Sequence, residues 1–173
     1  MKKITFPLIA LFIISISAFA ITLTTYKVKT PYEVKFSGGK IHGIFETLRA
    51  NIQFDKTNPE QSKISASIDA ESLATGFFLK NSHARAAIDA DTYPTITFVS
   101  TSVTKSGSAF QATGNLKLKG VTKPVTIHFT FDEKGNDGVF KGSFKIAPKE
   151  FTITRSGTPD ELTITLTVPV TKA

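Results

Sequence analysis

Apolar and polar residues alternate one for one along much of this chain. Leu48, Ala50, Ile52 and Phe54 fall on one side of such a run, and Arg49, Asn51 and Gln53 on the other. The pattern repeats with Ile64, Ala66 and Ile68 against Ser65, Ser67 and Asp69, and with Leu116 and Leu118 against Lys117 and Lys119. Val125, Ile127, Phe129 and Phe131 oppose Thr126, His128 and Thr130, while Leu162, Ile164, Leu166 and Val168 oppose Thr163, Thr165 and Thr167. Side chains on a strand point alternately to its two faces, so this period of two predicts half-buried antiparallel strands with one greasy face. Ser37-Gly38-Gly39, Ser106-Gly107-Ser108 and the stretch 132–138 read as hairpin connections. Gly114 inside its run predicts a bulge, and Pro169 a strand terminus. Such a sheet buries its apolar face against a second sheet or by closing into a barrel, and alternation alone does not separate the two.

One stretch breaks the alternation: LKNSHARAAIDADTYP, residues 79–94. Asn81 is a good helix N-cap, and residues 82–88 contain neither glycine nor proline, which predicts a short helix between two groups of strands. Pro94 biases Tyr93 toward extended backbone, so strand structure is expected to resume by Ile96.

Length and composition narrow the setting. The 173 residues suit a single domain. Residues 1–20 carry Lys2 and Lys3, an apolar run, and Ala18 and Ala20 in an A-x-A arrangement, which predicts a signal peptide cleaved after Ala20. An uncleaved anchor reaching to about residue 23 is the competing reading. Either way the domain, residues 26–173, is expected to be exported to the periplasm, with an inner-membrane tether under the second reading. The chain has 0 cysteines, so disulfides, thiolate nucleophiles and zinc-thiolate sites are excluded and the fold stands on packing. Lys2 and Lys3 supply two of the net +7, leaving +5 for the rest, which serves solubility and favours anionic surroundings.

The segments GKIHGIFETLRANIQFD (39–55), SKISASIDAESLATG (62–76), DTYPTITFVSTSV (91–103) and GNLKLKGVTKPVTIHFTF (114–131) resemble, in order and spacing, the YceI-like family. The resemblance implies an all-β fold, an antiparallel, lipocalin-like eight-stranded barrel with a short helix between strand groups. It also implies an exported protein that holds a polyisoprenoid, isoprenoid quinone or fatty acid or amide-like lipid for transport, storage or sequestration. The family's Phe-Phe-Asp step before Tyr-Pro is here Ala87-Ile88-Asp89, its Arg-Asp-x-His-Leu helix start is Lys80-Asn81-Ser82-His83-Ala84, and its late Arg-x-Asp-Phe-Gly element is replaced by residues 148–162.

An interior of this kind is expected to be lined by Phe45, Phe54, Ile68, Phe77, Phe78, Phe98, Phe110, Leu116, Leu118, Ile127, Phe129, Phe144 and Ile164. Phe77 and Phe78 stand out as candidates for a cavity mouth. The 15 phenylalanines against 3 tyrosines and 0 tryptophans give an aromatic set with few polar handles, which suits either a lipid cavity or a packed core. Lys80, Asn81, His83 and Arg85 are the expected headgroup or mouth residues, although Arg85 and Asp89 also stand at the spacing of a routine helix-surface ion pair. His42, His83 and His128 lack metal-ligand spacing, and Asp89-x-Asp91 is cut short as a calcium loop by Tyr93-Pro94. No metal, cofactor or catalytic residue is expected: G-x-S-x-G and H-E-x-x-H are both absent. The expected partner is a long-chain isoprenoid or fatty lipid, with membrane-surface contact and a homodimer as further options and no nucleic acid. The rival reading is a fully packed sandwich or barrel that engages a membrane or a protein through a basic outer face including Lys117, Lys119 and Lys123.

Overall fold

The alternating runs become strands whose ends are set by turn residues. The computed structural model describes residues 23–173, and both leader readings lie outside the described residues. The strands are β1 (Thr24–Val28), β2 (Glu33–Gly38), β3 (Ile41–Phe45), β4 (Arg49–Phe54), β5 (Lys63–Asp69) and β6 (Leu73–Ala74). Helix α1 (Phe78–Ile88) follows, then β7 (Thr95–Ser106), β8 (Ala109–Leu118), β9 (Val121–Lys134), β10 (Asp137–Ile146) and β11 (Leu162–Lys172).

Three pairs of these are halves of interrupted strands. β1 and β2 lie along the same edge of β11, Val28 facing Val170 and Leu166 facing Val34. β3 and β4 face β2 and β1, and β6 and β5 face β3 and β4 in turn. With the five continuous strands they make a closed antiparallel barrel of eight, an up-and-down meander in which β11 completes the ring. Closure leaves the apolar inner face buried without a second sheet, which decides between barrel and sandwich.

The interruptions sit side by side and are held by side chains. Tyr32 donates its hydroxyl to the Glu46 carbonyl at 3.1 Å and accepts from the Leu48 amide at 2.9 Å. Ser72 donates to the Asp69 carbonyl at 2.6 Å and accepts from the Thr47 amide at 3.3 Å and its hydroxyl at 3.0 Å. Backbone groups freed by the breaks thus keep partners.

Two glycine and proline expectations change in detail. The bulge lies opposite Gly114: Thr101 is the extra residue, between Ser100 facing Gly114 and Ser102 facing Thr113. A Cβ on Gly114 would stand 2.4 Å from the Val99 carbonyl oxygen and 2.7 Å from the Phe98 ring. Gly114→Ala is therefore expected to cost about 1–3 kcal/mol, read as a lower urea midpoint. Pro169 does not end its strand; it lies inside β11 opposite Val139. It is tolerated because β11 changes partner there, Thr167 facing Glu33 on β2 and Val170 facing Val28 on β1, so its missing N–H interrupts no ladder bond.

One end of the barrel is closed by aromatic rings. Phe54 is 1% exposed and meets Phe110, Phe129, Phe131 and Phe140 at centroid distances of 5.1, 5.7, 5.3 and 5.4 Å. Tyr26 abuts Phe131 and Phe140 edge-on. Glu133, next in phase after Phe129 and Phe131, completes this floor: it accepts from Tyr26, Lys56 and Lys172. Hydrogen bonds from the two lysines hold its carboxyl at about 2, below the usual 4.5, while burial followed by the Glu133 charge pushes Tyr26 up to about 12.

A depressed carboxylate contributes stability that is complete above about pH 4.5 and is lost as pH falls toward 2. Glu133→Gln is accordingly expected to lower the urea midpoint at neutral pH, with the gap to the native chain closing near pH 2. Tyr26 acts in the opposite window, its contribution being lost as pH rises from about 10 toward 12.

Candidate functional site

Above the aromatic floor the barrel is hollow. The cavity has a volume of about 260 Å³. Its walls carry Val34, Phe36, Ile52, Ile96, Leu166 and Val168 among others, and every lining residue is apolar except Thr158. The space comes from small residues at inward positions: Ala50, Ala66, Ala112 and Gly142 line it where larger side chains would fill it. Ala50 and Ala66 face each other across β4 and β5, and Ala66 faces Phe98 on β7, so one row of the wall is recessed.

The opposite end carries a cap of two segments. Helix α1 supplies Ala84, Ala87 and Ile88 to the lining, and the connection from β10 to β11 supplies Ile153, Thr158 and Pro159. The helix fits a gap in the ladder: β7 pairs with β5 only as far as Asp69 opposite Thr95, and β6 pairs with β3. A second gap opens where β9 and β10 part beyond the His128–Ser143 pair, and a 3-10 turn, Pro148–Phe151, begins the connection that covers it.

Lys119 latches the two segments together. Its Nζ donates to the Ala87 carbonyl at 3.0 Å and to the Thr152 carbonyl at 3.2 Å. Arg155 adds a long bond to the His83 carbonyl at 3.4 Å. Lys119→Ala removes both latch bonds and is expected to cost about 1–3 kcal/mol locally. Faster amide exchange across residues 84–90 and 148–155, with the wall strands unchanged, would register it.

The structure separates the expected site residues into three places. Phe45, Ile68, Phe98, Leu116, Leu118, Ile127, Phe129, Phe144 and Ile164 line the cavity. Phe54 and Phe110 lie in the floor cluster, with Phe129 shared between floor and cavity. Phe77 and Phe78 point to solvent at the start of α1, 67% and 82% exposed.

The four expected headgroup residues stay outside the lining. The helix begins at Phe78, ahead of the expected start, because Asn81 does not cap it; its Oδ1 accepts instead from the Thr75 amide at 2.7 Å and hydroxyl at 2.8 Å. Arg85 makes no pair with Asp89, which ends the helix in the left-handed region with φ 53°. The guanidinium reaches back instead, donating to the Leu73 carbonyl at 3.0 Å and standing 3.5 Å from the Glu71 carboxylate. Lys80 lies 5.1 Å over the Phe77 ring, and the His83 side chain is exposed. Asn81 and Arg85 thus bind the helix to the barrel wall.

The proposed basic outer face is also dispersed. Lys119 is spent on the cap, and the register puts Lys123 opposite Leu116, on the row of inner-face residues. The two-residue turn at Lys119–Gly120 resets the phase of alternation between β8 and β9, so counting straight through it misplaces Lys123. Sequence reasoning also passed over the recessed alanines and the residues 153–159, whose legible signal was small side chains at inward positions of otherwise bulky runs. Among the described residues no group of three His, Asp or Glu side chains is placed to hold a metal ion.

Comparison with known proteins places this cavity in a family. The YceI-like domain matches residues 16–171. The UPF0312 protein of Enterobacter sp. strain 638 is 34% identical over 138 residues, covering 75% of this chain and 72% of that protein. Protein YceI of Salmonella arizonae is 33% identical over the same shares. Among solved structures, Burkholderia cenocepacia BcnA superposes with a TM-score of 0.75 at 25% identity, covering 80% of this chain and 95% of that one. A polyisoprenoid binding domain from Saccharophagus degradans, implicated in plant cell wall breakdown, has the same fold with a TM-score of 0.63 at 12% identity, covering 87% and 99%. With the profile spanning nearly the whole chain and the barrel matching in shape, the chain belongs to the YceI-like family.

Proposed function

We propose that this protein is an exported carrier that holds the tail of a long-chain apolar lipid, isoprenoid or fatty, inside its barrel. The observation that carries the reading is the lining: a hollow of about 260 Å³ in which only Thr158 brings a hydrogen-bonding side chain. Such a surface offers nothing to a sugar, a nucleotide or a peptide backbone, whose polar groups would be left unpaired at a cost of about 1–3 kcal/mol each. Each buried methylene gains about 0.8 kcal/mol, so ten or so supply roughly 8 kcal/mol before ordering costs. The lining alone therefore suffices for affinity, and polar groups at the cap are left to set orientation.

The same lining speaks against chemistry inside the cup. It holds no carboxylate, imidazole or amine that would serve as an acid, base or nucleophile. The Saccharophagus degradans domain of this fold is named for polyisoprenoid binding, which is in keeping with a long-chain apolar ligand.

Native mass spectrometry of the protein purified from its own host, followed by organic extraction, tests the reading. A stoichiometric long-chain lipid is the expected result. An empty barrel that also fails to take up prenyl alcohols and fatty acids added from detergent would overturn it.

A further inference from the structure

The tip of helix α1 is built unlike the rest of the surface. Phe77, Phe78 and Leu79 are consecutive and 67%, 82% and 71% exposed, the three most exposed large apolar side chains among the described residues. A soluble domain gains nothing from holding two phenylalanines and a leucine together in water, and such a cluster marks a contact surface.

Its position relates it to the cavity. The chain enters the tip from Leu73, which lines the cavity and faces Phe45, and leaves it through Ala84, which lines the cavity again. The tip therefore stands on the rim of the capped end. The helix is firmly based: Asn81 holds Thr75, and Arg85 holds the Leu73 carbonyl. A protruding apolar point on an anchored helix does not need to fold inward to be satisfied.

Three cations stand at this end. Lys80 sits over the Phe77 ring, Arg155 reaches the neighbouring turn of α1, and Lys40 lies in the hairpin between β2 and β3 at the same end. None of these three is in an ion pair among the described residues. The carboxylates of Glu71, Asp160 and Glu161 at this end are each matched by Arg85, Lys149 and Lys145. Unmatched cations beside exposed aromatic and aliphatic side chains are the arrangement that seats a protein on an anionic bilayer, the apolar groups entering the acyl boundary and the lysines staying at the headgroups.

We propose, building on the carrier reading above, that Phe77, Phe78 and Leu79 form a docking tip that inserts into the surface of an anionic phospholipid bilayer and brings the cavity mouth against the lipids it loads or unloads. The occupant is the bilayer itself. A lipid passing between membrane and cup at this rim then exposes little of its tail to water, which a free encounter in solution cannot offer.

Flotation with vesicles of phosphatidylcholine and phosphatidylglycerol tests this on the described domain, using the variant Phe77→Ser/Phe78→Ser/Leu79→Ser. The native domain is expected to float, the variant to bind about tenfold or more weakly, and Lys80→Gln to fall between them. Uptake of a prenyl alcohol from detergent should be equal in all three, while uptake of the same alcohol from vesicles should slow in step with binding. Failure of the native domain to float, or equal flotation of the triple variant, overturns the docking tip. So does sedimentation showing that the tip instead joins two copies of the chain and that only this association is lost in the variant. Loss of detergent uptake by all three proteins would sink the carrier reading alone, since flotation is read without any cargo.

Discussion

Ala66→Phe is expected to lower retention of a long-chain ligand by about a hundredfold or more while leaving the barrel folded. Ala66 lies in the recessed row between Ala50 and Phe98, and its side chain faces the cavity. A benzyl group placed there takes a large share of the 260 Å³ that the tail requires. Filling an apolar hollow adds contacts rather than strain as long as space exists, so the melting temperature should hold or rise. Lipid co-purifying with the native chain and absent from the variant, at equal thermal stability, is the result to look for. Undiminished retention would mean that the ligand lies elsewhere. Leu118→Ala, which widens the cavity, should retain lipid and lose stability, so each substitution lowers one readout and spares the other.

Phe54→Ala is expected to have the largest effect on stability, about 3–5 kcal/mol, measured by chemical denaturation. The ring is 1% exposed and touches four other rings, so its removal leaves a void that neighbours on three strands cannot all collapse into. Against a total of about 5–15 kcal/mol for a domain, this brings the fold close to its limit. Phe54→Leu keeps most of the volume and should cost far less, which separates packing loss from any special demand for an aromatic group.

The sequence carried more of the barrel than of the site. Alternation over residues 48–54, 64–69, 116–118, 125–131 and 162–168 reported which side chains turn inward, because a one-residue slip would have exposed every one of them. What a period of two cannot report is height along the barrel axis. Phe54 and Phe110 share the inward face with Phe98 and Phe144, yet the former pair belong to the floor, a distinction made only by where each residue sits in the ring. The helix boundaries slipped for a local reason: Asn81 has the chemistry of a cap and spends it on Thr75. Lys123 was misplaced because a turn reset the alternation. The mouth lysine with the clearest structural duty, Lys119, has a backbone φ of +50° that the adjacent Gly120 signals as a two-residue turn, while its two distant carbonyl partners leave no mark in the residues beside it.

Both ends of the described residues lie at the floor. Thr24 faces Phe54, Tyr26 faces Lys172, and the Ala173 amide bonds the Thr25 carbonyl at 2.9 Å. A tether attached at Leu23 would hold the barrel like a cup by its base, with the brim turned away from the point of attachment. The 14 residues of β9 at about 3.4 Å each set a scale of roughly 45 Å that a tether must exceed before the brim can swing round to the surface that anchors it. A barrel on a shorter leash would pour toward whatever faces that surface, and only a released one would be free to drink from both.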